Sequence, residues 1–486
     1  MPALRPIVVV VSLLLALAPL SFAKSVKIRG YVTSVNSPTS FEIEDYKITS
    51  SSGLTLSFEK EDHDAAPVNF KPDDIRVGTD LEISGELDDK TGELRAQAIK
   101  VFLDEGTKLH RTAVIDQVPH VLRQPDGSVT GAYFADGQQI RLAPDTQYVF
   151  RPTAAEREAL KKAGHKSATG EEEDIGVRPL QDLAEIHPNM VLTYEGVRQK
   201  DGSVLASRME FTRNELEPGE VKMWRALTPY GKNPDFQKFK PGEMNINGVG
   251  KFKTVGNIAV QKYINELGHS LVPLYQSSLA DSDPTKIPFK FFIVENKEPN
   301  AFALANGTVV VNSGLFDVLD SEAQLAFVLA HEIAHATQRH AWRQQQYHKG
   351  SRTAMKIAGI LGSAATGDSA IAAATQMIDT SIKNGYSRSL ENQADRLGLA
   401  YMYEAGYDIR EAPKVWQIMT KKYGDKGSNF WSDHSKNTTR RSYLMAEIRN
   451  NYADADYSKL QKGKFSLEPM AQKINDPSGK NVKVKY

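Results

Sequence analysis

Apolar and polar residues alternate along the first half of the chain. The alternation is clearest in residues 26–29, 41–43 and 54–58, and Gly, Asp and Pro residues separate these stretches. A period of two places alternate side chains on one face of a strand. The pattern therefore predicts β-structure from residue 24 to about residue 213.

A weak internal repeat divides this β-rich region in two. Each copy consists of an alternating strand, a turn that contains glycine, and a second strand. Gly85 of the first copy corresponds to Gly196 of the second. Ala96 corresponds in the same way to Ala206. We predict two all-β modules that resemble small OB-type barrels, residues 24–105 and 106–213.

Charged and Pro-rich stretches interrupt the β pattern at two places. Residues 152–178 include the acidic run 171–174 and predict a charged, mobile loop inserted into the second module. Residues 214–248 are rich in Pro, Gly and Lys and predict a linker.

From residue 249 the hydrophobic period becomes that of a helix. Apolar residues between positions 258 and 267 have helical spacing, a strand-like run follows at 289–294, and a strand pair is predicted within 301–311. Helices are predicted for most of the remaining chain up to about residue 450, followed by a polar, extended tail over 451–486. The predicted fold class is α+β, a mainly helical domain (249–450) preceded by two all-β modules.

The composition excludes several classes of function. The chain has 486 residues, more than one domain of ~100–200 residues requires. Its 60 Lys and Arg balance 60 Asp and Glu, and the β-modules lack a basic stripe with interleaved aromatics, so we expect no nucleic-acid partner. The absence of cysteine excludes disulfides, thiolate metal sites and a cysteine nucleophile. Any metal site must therefore consist of His and carboxylate ligands.

The first 23 residues resemble a secretory signal. Arg5 precedes the apolar stretch 7–20, and the small residues at 21 and 23 form a cleavage site before Lys24. The alternative is a permanent N-terminal anchor, but about 14 apolar residues fall short of the ~20 that a spanning helix needs. We therefore expect export, to a bacterial periplasm.

A capped helix is predicted after residue 320. Ser321 and Gln324 form a capping-box pattern, and the apolar run that follows has no helix breaker before Arg343. This helix carries the pentapeptide HExxH at residues 331–335.

The pentapeptide predicts a zinc site. His331 and His335 are one helical turn apart and share a face, so both imidazoles can bind one ion. Glu332 lies beside them, where a carboxylate can accept a proton from a water molecule on the metal.

A catalytic zinc needs a third protein ligand, and two known spacings do not occur. The metzincin pattern requires Gly and His where this chain has Gln338 and Ala341. The thermolysin-type spacing fails because no acidic residue lies between His335 and Asp368.

Glu391 is the favoured third ligand among the acidic residues further along. Asp395 follows it by one helical turn and can fix the tautomer of a ligand histidine. Asp368 and Asp379 have no such partner on their own face. The alternative for Glu391 and Asp395 is a charged, solvated helix face.

The ordered motifs between residues 250 and 450 resemble the gluzincin metallopeptidases, the family that includes HtpX, the CaaX prenyl endopeptidase, BepA and LoiP. The motifs are residues 300–303, 312–315, 331–335, 387–395 and 405–408. The resemblance implies one Zn²⁺ per chain, bound by His331, His335 and Glu391. It also implies that Glu332 is the general base and acid.

The resemblance further implies how substrate binds. The strand that begins with Asn300, Ala301, Phe302 and Ala303 is expected to pair with an extended polypeptide along the cleft. The partner is therefore expected to be a polypeptide bound as a strand.

Two more candidates lie in a loop that family members share. His434 is expected to bind the oxyanion or to cap the zinc, and Arg440 to contact substrate, although Ser435 replaces the usual Pro. A plain surface histidine is the alternative for His434. His340 and His348 are expected to be structural or solvent-facing.

Residues 354–378 are rich in Ala and Gly. Charged and Gly residues limit their apolar runs, so a helical hairpin beside the cleft is favoured over a membrane span. Membrane association is expected to be peripheral at most.

The leading hypothesis from the sequence is an exported zinc endopeptidase for unfolded or misassembled envelope proteins. The second hypothesis is an assembly factor or chaperone with a mostly capped protease site, which binds an envelope protein partner through the β-modules.

Overall fold

The structure is a computed structural model of the chain. The predicted signal segment, the hairpin 354–378 and His434 lie outside the residues that it describes. The described residues are 24–51, 54–59, 70–102, 109–117, 121–123, 129–199, 203–226, 243–246, 250–347, 385–424, 437–461, 463 and 467–475.

The first module is a seven-stranded sheet with the order β1-β6-β7-β4-β3-β2, in which β5 also pairs with β7. Its buried positions alternate, as the pattern predicts, so that Leu81 and Ile83 are both fully buried. The strands are β1 Lys24–Tyr31, β2 Ser34–Ser37, β3 Ser40–Ile43, β4 Tyr46–Thr49, β5 Leu56–Glu59, β6 Asp80–Asp88 and β7 Glu93–Phe102.

The second module is also a seven-stranded sheet, with the order β8-β13-β14-β11-β10-β9, and β12 pairs with β11. Its core includes the fully buried Leu192 and Phe211. The strands are β8 Leu109–Val114, β9 Val121–Arg123, β10 Val129–Ala135, β11 Gln138–Phe150, β12 Arg178–Pro179, β13 Val191–Arg198 and β14 Val204–Thr212.

The six strands along the main path of each sheet follow the same order in both modules. Each sheet also has a β-bulge at one of the two glycines that correspond in the sequence repeat. The register shifts at Gly85 opposite Ala96 and again at Gly196 opposite Ala206. A Cβ at Gly85 would lie 2.1 Å from the carbonyl oxygen of Arg95, so only glycine fits the bulge.

The charged insertion begins as a helix, which corrects the prediction of a mobile loop at this point. Helix α1 spans Ala154–Lys162. Thr153 caps it by accepting a hydrogen bond from the Glu156 amide, and the Glu156 side chain accepts one from the Thr153 amide. This reciprocal capping stabilises an otherwise exposed helix.

The predicted linker also contains regular structure. Helix α2 spans Pro218–Ala226, and β15 (Glu243–Ile246) pairs with β16 (Gly250–Lys253). Glu220 of α2 is fully buried and forms an ion pair with Arg339 of the helical domain. This part of the linker is therefore anchored, in contrast to the expectation of a simple connector.

The third domain is mainly helical and contains a small three-stranded sheet, so the predicted α+β class is confirmed at this level. In the sheet, β19 lies between a parallel β17 and an antiparallel β18. The strands are β17 Lys290–Val294, β18 Ala301–Ala303 and β19 Thr308–Asn312. The helices are α3 Ile258–Ser270, α4 Leu274–Ser277, α5 Glu322–Thr337, α6 His340–Tyr347, α7 Arg388–Glu404, α8 Ala412–Tyr423, α9 Asn437–Asn451 and α10 Glu468–Asn475.

Helix α5 lies at the centre of this domain, and it ends earlier than the sequence predicts. The apolar run predicts a helix continuous to Arg343, but α5 ends at Thr337. Arg339 then adopts a left-handed conformation with φ of 58°. Its guanidinium is held by Glu220, which fixes the break before α6.

The C-terminal segment is only partly extended, contrary to the prediction. Helix α10 packs against the helical domain and buries Met470, with Leu467 buried just before it. None of the helices in the described ranges combines the length and apolarity that a membrane crossing requires.

Candidate metal centre

The two histidines of the HExxH motif lie together inside the domain. Ser321 caps α5 through its side chain, which accepts a hydrogen bond from the Gln324 amide, and every residue of α5 is buried. The Nε2 atoms of His331 and His335 are 2.9 Å apart, as expected for residues one turn apart on one face. Each side chain therefore directs a nitrogen at the same point.

Helix α7 brings the third predicted ligand to this point. A carboxylate oxygen of Glu391 lies 3.5 Å from Nε2 of His331, and the other lies 3.8 Å from Nε2 of His335. The donor atoms of the three residues lie within 4.8 Å of one another. Two imidazoles and one carboxylate are a donor set that suits Zn²⁺, and their burial would shield the ion from solvent.

Asp395 lies one turn after Glu391 and contacts a ligand histidine. Its Oδ1 is 3.0 Å from Nδ1 of His331. Because a carboxylate only accepts, Nδ1 of His331 carries the proton and Nε2 is left for a metal. Burial acts to raise the pKa of Asp395, but the Arg440 guanidinium and His331 hold it below its usual range.

Arg440 of α9 is buried among these acidic side chains. It donates two hydrogen bonds to Asp395, of 2.9 and 2.6 Å, and its Nη1 lies 3.2 Å from Glu391. Its guanidinium also lies 3.8 Å from the centre of the Trp416 ring. Its Nη2 also lies 3.2 Å from both ring nitrogens of His331 on α5. The predicted role of Arg440 in substrate binding stays a prediction, since its described contacts are with residues of the site and with Trp416.

Glu332 lies between the metal ligands and the small sheet. Its Oε2 accepts a hydrogen bond of 2.8 Å from the amide of Ala303 in β18. Burial, with the nearby Glu391 carboxylate, raises the pKa of Glu332 to about 7. A carboxylate with a pKa near neutrality is suited to accepting and returning a proton.

The predicted substrate strand is an edge of the small sheet. The Asn300 carbonyl and the Leu304 amide hydrogen-bond to β19. Because backbone groups alternate in direction, those of Ala301 and Ala303 face away from β19, towards the side where Glu332 lies. The side chain of Phe302 packs against Phe252.

The sequence predicted a structural or solvent-facing role for His340; it is buried, and its contact with His335 was not predicted. Nδ1 of His335 is 2.9 Å from Nδ1 of His340, and Nε2 of His340 is 3.0 Å from Oε1 of Gln393. His340 is fully buried, and burial lowers its pKa to about 3. The ring of Tyr386 stacks on that of His335 at 4.1 Å. His335 and His340 are five positions apart, a spacing that does not place two residues on one face of a helix. Their contact depends on the break in the helix at Arg339, which the sequence pattern did not predict.

Both β-modules contact the helices that form the site. Tyr31 of the first module accepts a hydrogen bond from Asn392 of α7, and its amide bonds to Ser442 of α9. Asp136 of the second module forms an ion pair with Arg396 of α7 and accepts a hydrogen bond from Gln393 of the same helix. His434, the remaining predicted site residue, lies outside the described residues.

The site brings together two histidines and one glutamate, the donor set expected of a gluzincin metallopeptidase. Residues 259–448 match the model of peptidase family M48, and this part of the chain is a family M48 domain, which confirms the resemblance seen in the sequence. Residues 29–100, in the first β-module, match a domain of unknown function, DUF5666.

Several named proteins are similar to this domain. The putative beta-barrel assembly-enhancing protease of Vibrio cholerae is 37% identical over 174 residues, which cover 35% of this chain and 34% of that protein. The beta-barrel assembly-enhancing protease of Escherichia coli (strain K12) is 34% identical over 184 residues, 36% of each chain. The mitochondrial metalloendopeptidase OMA1 of Schizosaccharomyces pombe is 26% identical over 201 residues, 39% of this chain and 58% of that protein. The chain thus spans about a third of the length of the two bacterial relatives.

Proposed function

We propose that this protein is a zinc-dependent endopeptidase, exported to the periplasm, that hydrolyses unfolded or misassembled envelope proteins. The observation that carries the proposal is the meeting of His331, His335 and Glu391 on two packed helices, with Glu332 beside them. Three ligands of this kind leave a coordination position for a water molecule and a substrate.

The residues of the site have distinct tasks in this proposal. A zinc ion bound to His331, His335 and Glu391 would polarise a peptide carbonyl and acidify a water molecule. Asp395 holds the proton on Nδ1 of His331, so that Nε2 remains a ligand.

Glu332 is the proposed proton carrier. Its carboxylate accepts the proton of the attacking water and delivers it to the departing amine of the cleaved peptide. The hydrogen bond from the Ala303 amide holds Glu332 beside the edge strand, where the scissile bond of a paired polypeptide would lie.

The extended substrate is proposed to add as a strand to β18. The outward backbone groups of Ala301 and Ala303 would give sequence-independent hydrogen bonds. Such binding suits a protease of unfolded chains, because a folded substrate has few unpaired strands to offer.

The substrate class and location have separate support. The two bacterial relatives are named for enhancing beta-barrel assembly, and the predicted signal segment favours export. The relative from fission yeast is named as mitochondrial, so the proposed location rests on the predicted signal segment.

A second candidate function is an envelope assembly factor whose protease site is mostly capped. The contacts of both β-modules with α7 favour it, because a partner bound to a module would act on the ligand helix. In both candidates we propose that the modules are OB-like barrels that dock an envelope protein.

The test of the enzymatic proposal is Glu332→Gln. The purified variant should retain one zinc per chain and lose casein hydrolysis by about 10²–10⁴-fold, the usual contribution of a general base. Glu404→Gln, on α7 outside the site, is the matched control and should hydrolyse casein like the wild type. Full activity of Glu332→Gln, or wild-type hydrolysis that survives zinc chelation, would contradict the proposal.

A further inference from the structure

We infer that Asp136 of the second β-module is a positioning residue for the metal ligand His335. It acts through two buried side chains of the M48 domain, Gln393 and His340. The inference rests on the proposed zinc site and goes beyond it, because it assigns part of that site to a different domain.

The hairpin between β10 and β11 places Asp136 behind α7. Asp136 and Gly137 have φ of 56° and 66°, the left-handed pair that a tight two-residue hairpin needs. A Cβ at Gly137 would lie 2.7 Å from the carbonyl oxygen of Arg396, so the turn is pressed against the helix. Asp136 is fully buried, and its Oδ2 accepts hydrogen bonds from Arg396 at 2.6 Å and Tyr194 at 2.9 Å.

This carboxylate determines the orientation of Gln393. A carboxylate only accepts hydrogen bonds, so it is the Nε2 group of Gln393 that contacts Oδ1 of Asp136. The same Nε2 donates its second hydrogen to the carbonyl oxygen of Thr112 at 3.0 Å. The Oε1 atom of Gln393 must then face His340, where it also accepts from Arg343 at 2.8 Å.

The orientation of Gln393 in turn determines the tautomers of two histidines. Its Oε1 accepts from His340, so His340 carries a proton on Nε2 and presents a bare Nδ1. That nitrogen accepts from Nδ1–H of His335 at 2.9 Å. His335 therefore keeps its Nε2 lone pair for the metal, as Asp395 ensures for His331.

The two ligand histidines are thus oriented by different parts of the chain. His331 has a carboxylate partner, Asp395, within the M48 domain. The hydrogen bonds that orient His335 run through His340 and Gln393 and end at a carboxylate in the second β-module. Partners of this kind typically contribute 10–100-fold to metal affinity. The β-module is in this sense part of the metal site.

The experiment compares two glutamines that both join the second module to the M48 domain. Gln393→Met removes the link to His335, whereas Gln338→Met removes two hydrogen bonds to the backbone of Val114, neither of which involves a metal ligand. Zinc affinity is measured on the full chain by competition with a chromophoric chelator, and the cobalt(II)-substituted protein gives a visible spectrum of the ligand geometry. Gln393→Met should weaken zinc binding by roughly tenfold and alter the cobalt spectrum, and Gln338→Met should change neither.

Two further comparisons separate positioning from folding. His340→Asn keeps an oxygen that can accept from His335 and should retain most of the affinity, whereas His340→Leu should lose as much as Gln393→Met. Asp136→Ala should also weaken zinc binding, and the Asp136→Ala, Gln393→Met double variant should be no weaker than Gln393→Met alone.

Wild-type zinc affinity in Gln393→Met, or an equal loss in Gln338→Met, would overturn the inference. A wild-type chain that does not bind zinc would instead overturn the proposed function. Additive losses in the double variant would show that Asp136 does not act on His335 through Gln393.

Discussion

Gly398 of α7 lies directly against the backbone of His331. A Cβ atom at position 398 would lie 3.2 Å from the amide nitrogen of His331 and 3.3 Å from its Cα. The missing side chain allows α5 and α7 to approach closely. Glu391 and Asp395 project from the same face of α7, about two turns and one turn earlier, and so reach the two histidines.

Gly398→Val should separate these helices and weaken zinc binding. The added side chain overpacks a tight contact, which typically costs about 1–3 kcal/mol of stability. Because it also moves Glu391 away from the histidines, we expect at least a tenfold loss in zinc affinity, measured by chelator competition.

Gly268→Val is the control for that experiment. Gly268 is a second helical glycine, in α3, where an added Cβ would meet the Phe291 ring at 2.5 Å. This variant should lose stability in thermal unfolding but keep wild-type zinc affinity. Equal losses of affinity in both variants would show that the effect is only destabilisation.

Glu391→Ala should abolish stoichiometric zinc binding. The fully buried carboxylate is one of three donors, and two histidines alone form a weak site. Zinc per chain is measured by atomic emission after dialysis. The matched control is Glu322→Ala, a buried carboxylate in the first turn of α5 that contacts Tyr263 and Tyr407 instead. One zinc per chain in Glu391→Ala would exclude Glu391 as a ligand.

Asp116→Asn should stabilise the protein above neutral pH. Burial, with the nearby Glu404 carboxylate, raises the pKa of Asp116 to about 7 from an ordinary 3.8. Between these values the folded state binds more protons than the unfolded state, so Asp116 makes stability fall as pH rises from about 4 to 7. The neutral amide removes this penalty, on the order of 2–4 kcal/mol above pH 7.

Urea unfolding at pH 4.5 and pH 8 measures this effect. The gain of Asp116→Asn should be large at pH 8 and small at pH 4.5. Asp281→Asn, at an exposed carboxyl whose pKa Lys286 lowers, should give no gain at pH 8. A pH-independent effect of Asp116→Asn would rule out titration of Asp116 as the cause.

His434→Ala distinguishes an open resting site from a capped one. The sequence predicts that His434 either binds the oxyanion or caps the zinc. Loss of casein hydrolysis supports the first role, and a gain over an inactive wild type supports the second. His165→Ala, in the charged insertion of the second module, is the control for loss of a histidine far from the site in sequence. Unchanged hydrolysis in His434→Ala would remove it from both roles.

Local periodicity was sufficient to predict the core of the site. One helical turn separates His331 from His335, and another separates Glu391 from Asp395, so each pair needed only helical geometry. Their meeting depends on the packing of α5 against α7 at Gly398, which the sequence does not encode in any local pattern. The repeat of the β-modules was visible because the bulge at Gly85 and Gly196 demands glycine.

The residues that sequence reasoning missed depend on contacts between distant segments. His340 reaches His335 because Arg339 breaks the helix, and Glu220, more than a hundred positions earlier, holds Arg339. The apolar positions of α10 are too few to predict packing, although Leu467 and Met470 reach the core.

The hairpin at Asp136 has a consequence for the order in which the molecule matures. Asp136 and Gln393 are separated by 257 positions. The second β-module comes first along the chain and can fold before α7 is available, since domains generally fold as units from the N-terminus. The orientation of His335 must wait for the later segment to dock. A chain that ends before α7 can therefore carry a folded module, but it lacks both Glu391 and the link to His335, and we expect it to have no proteolytic activity.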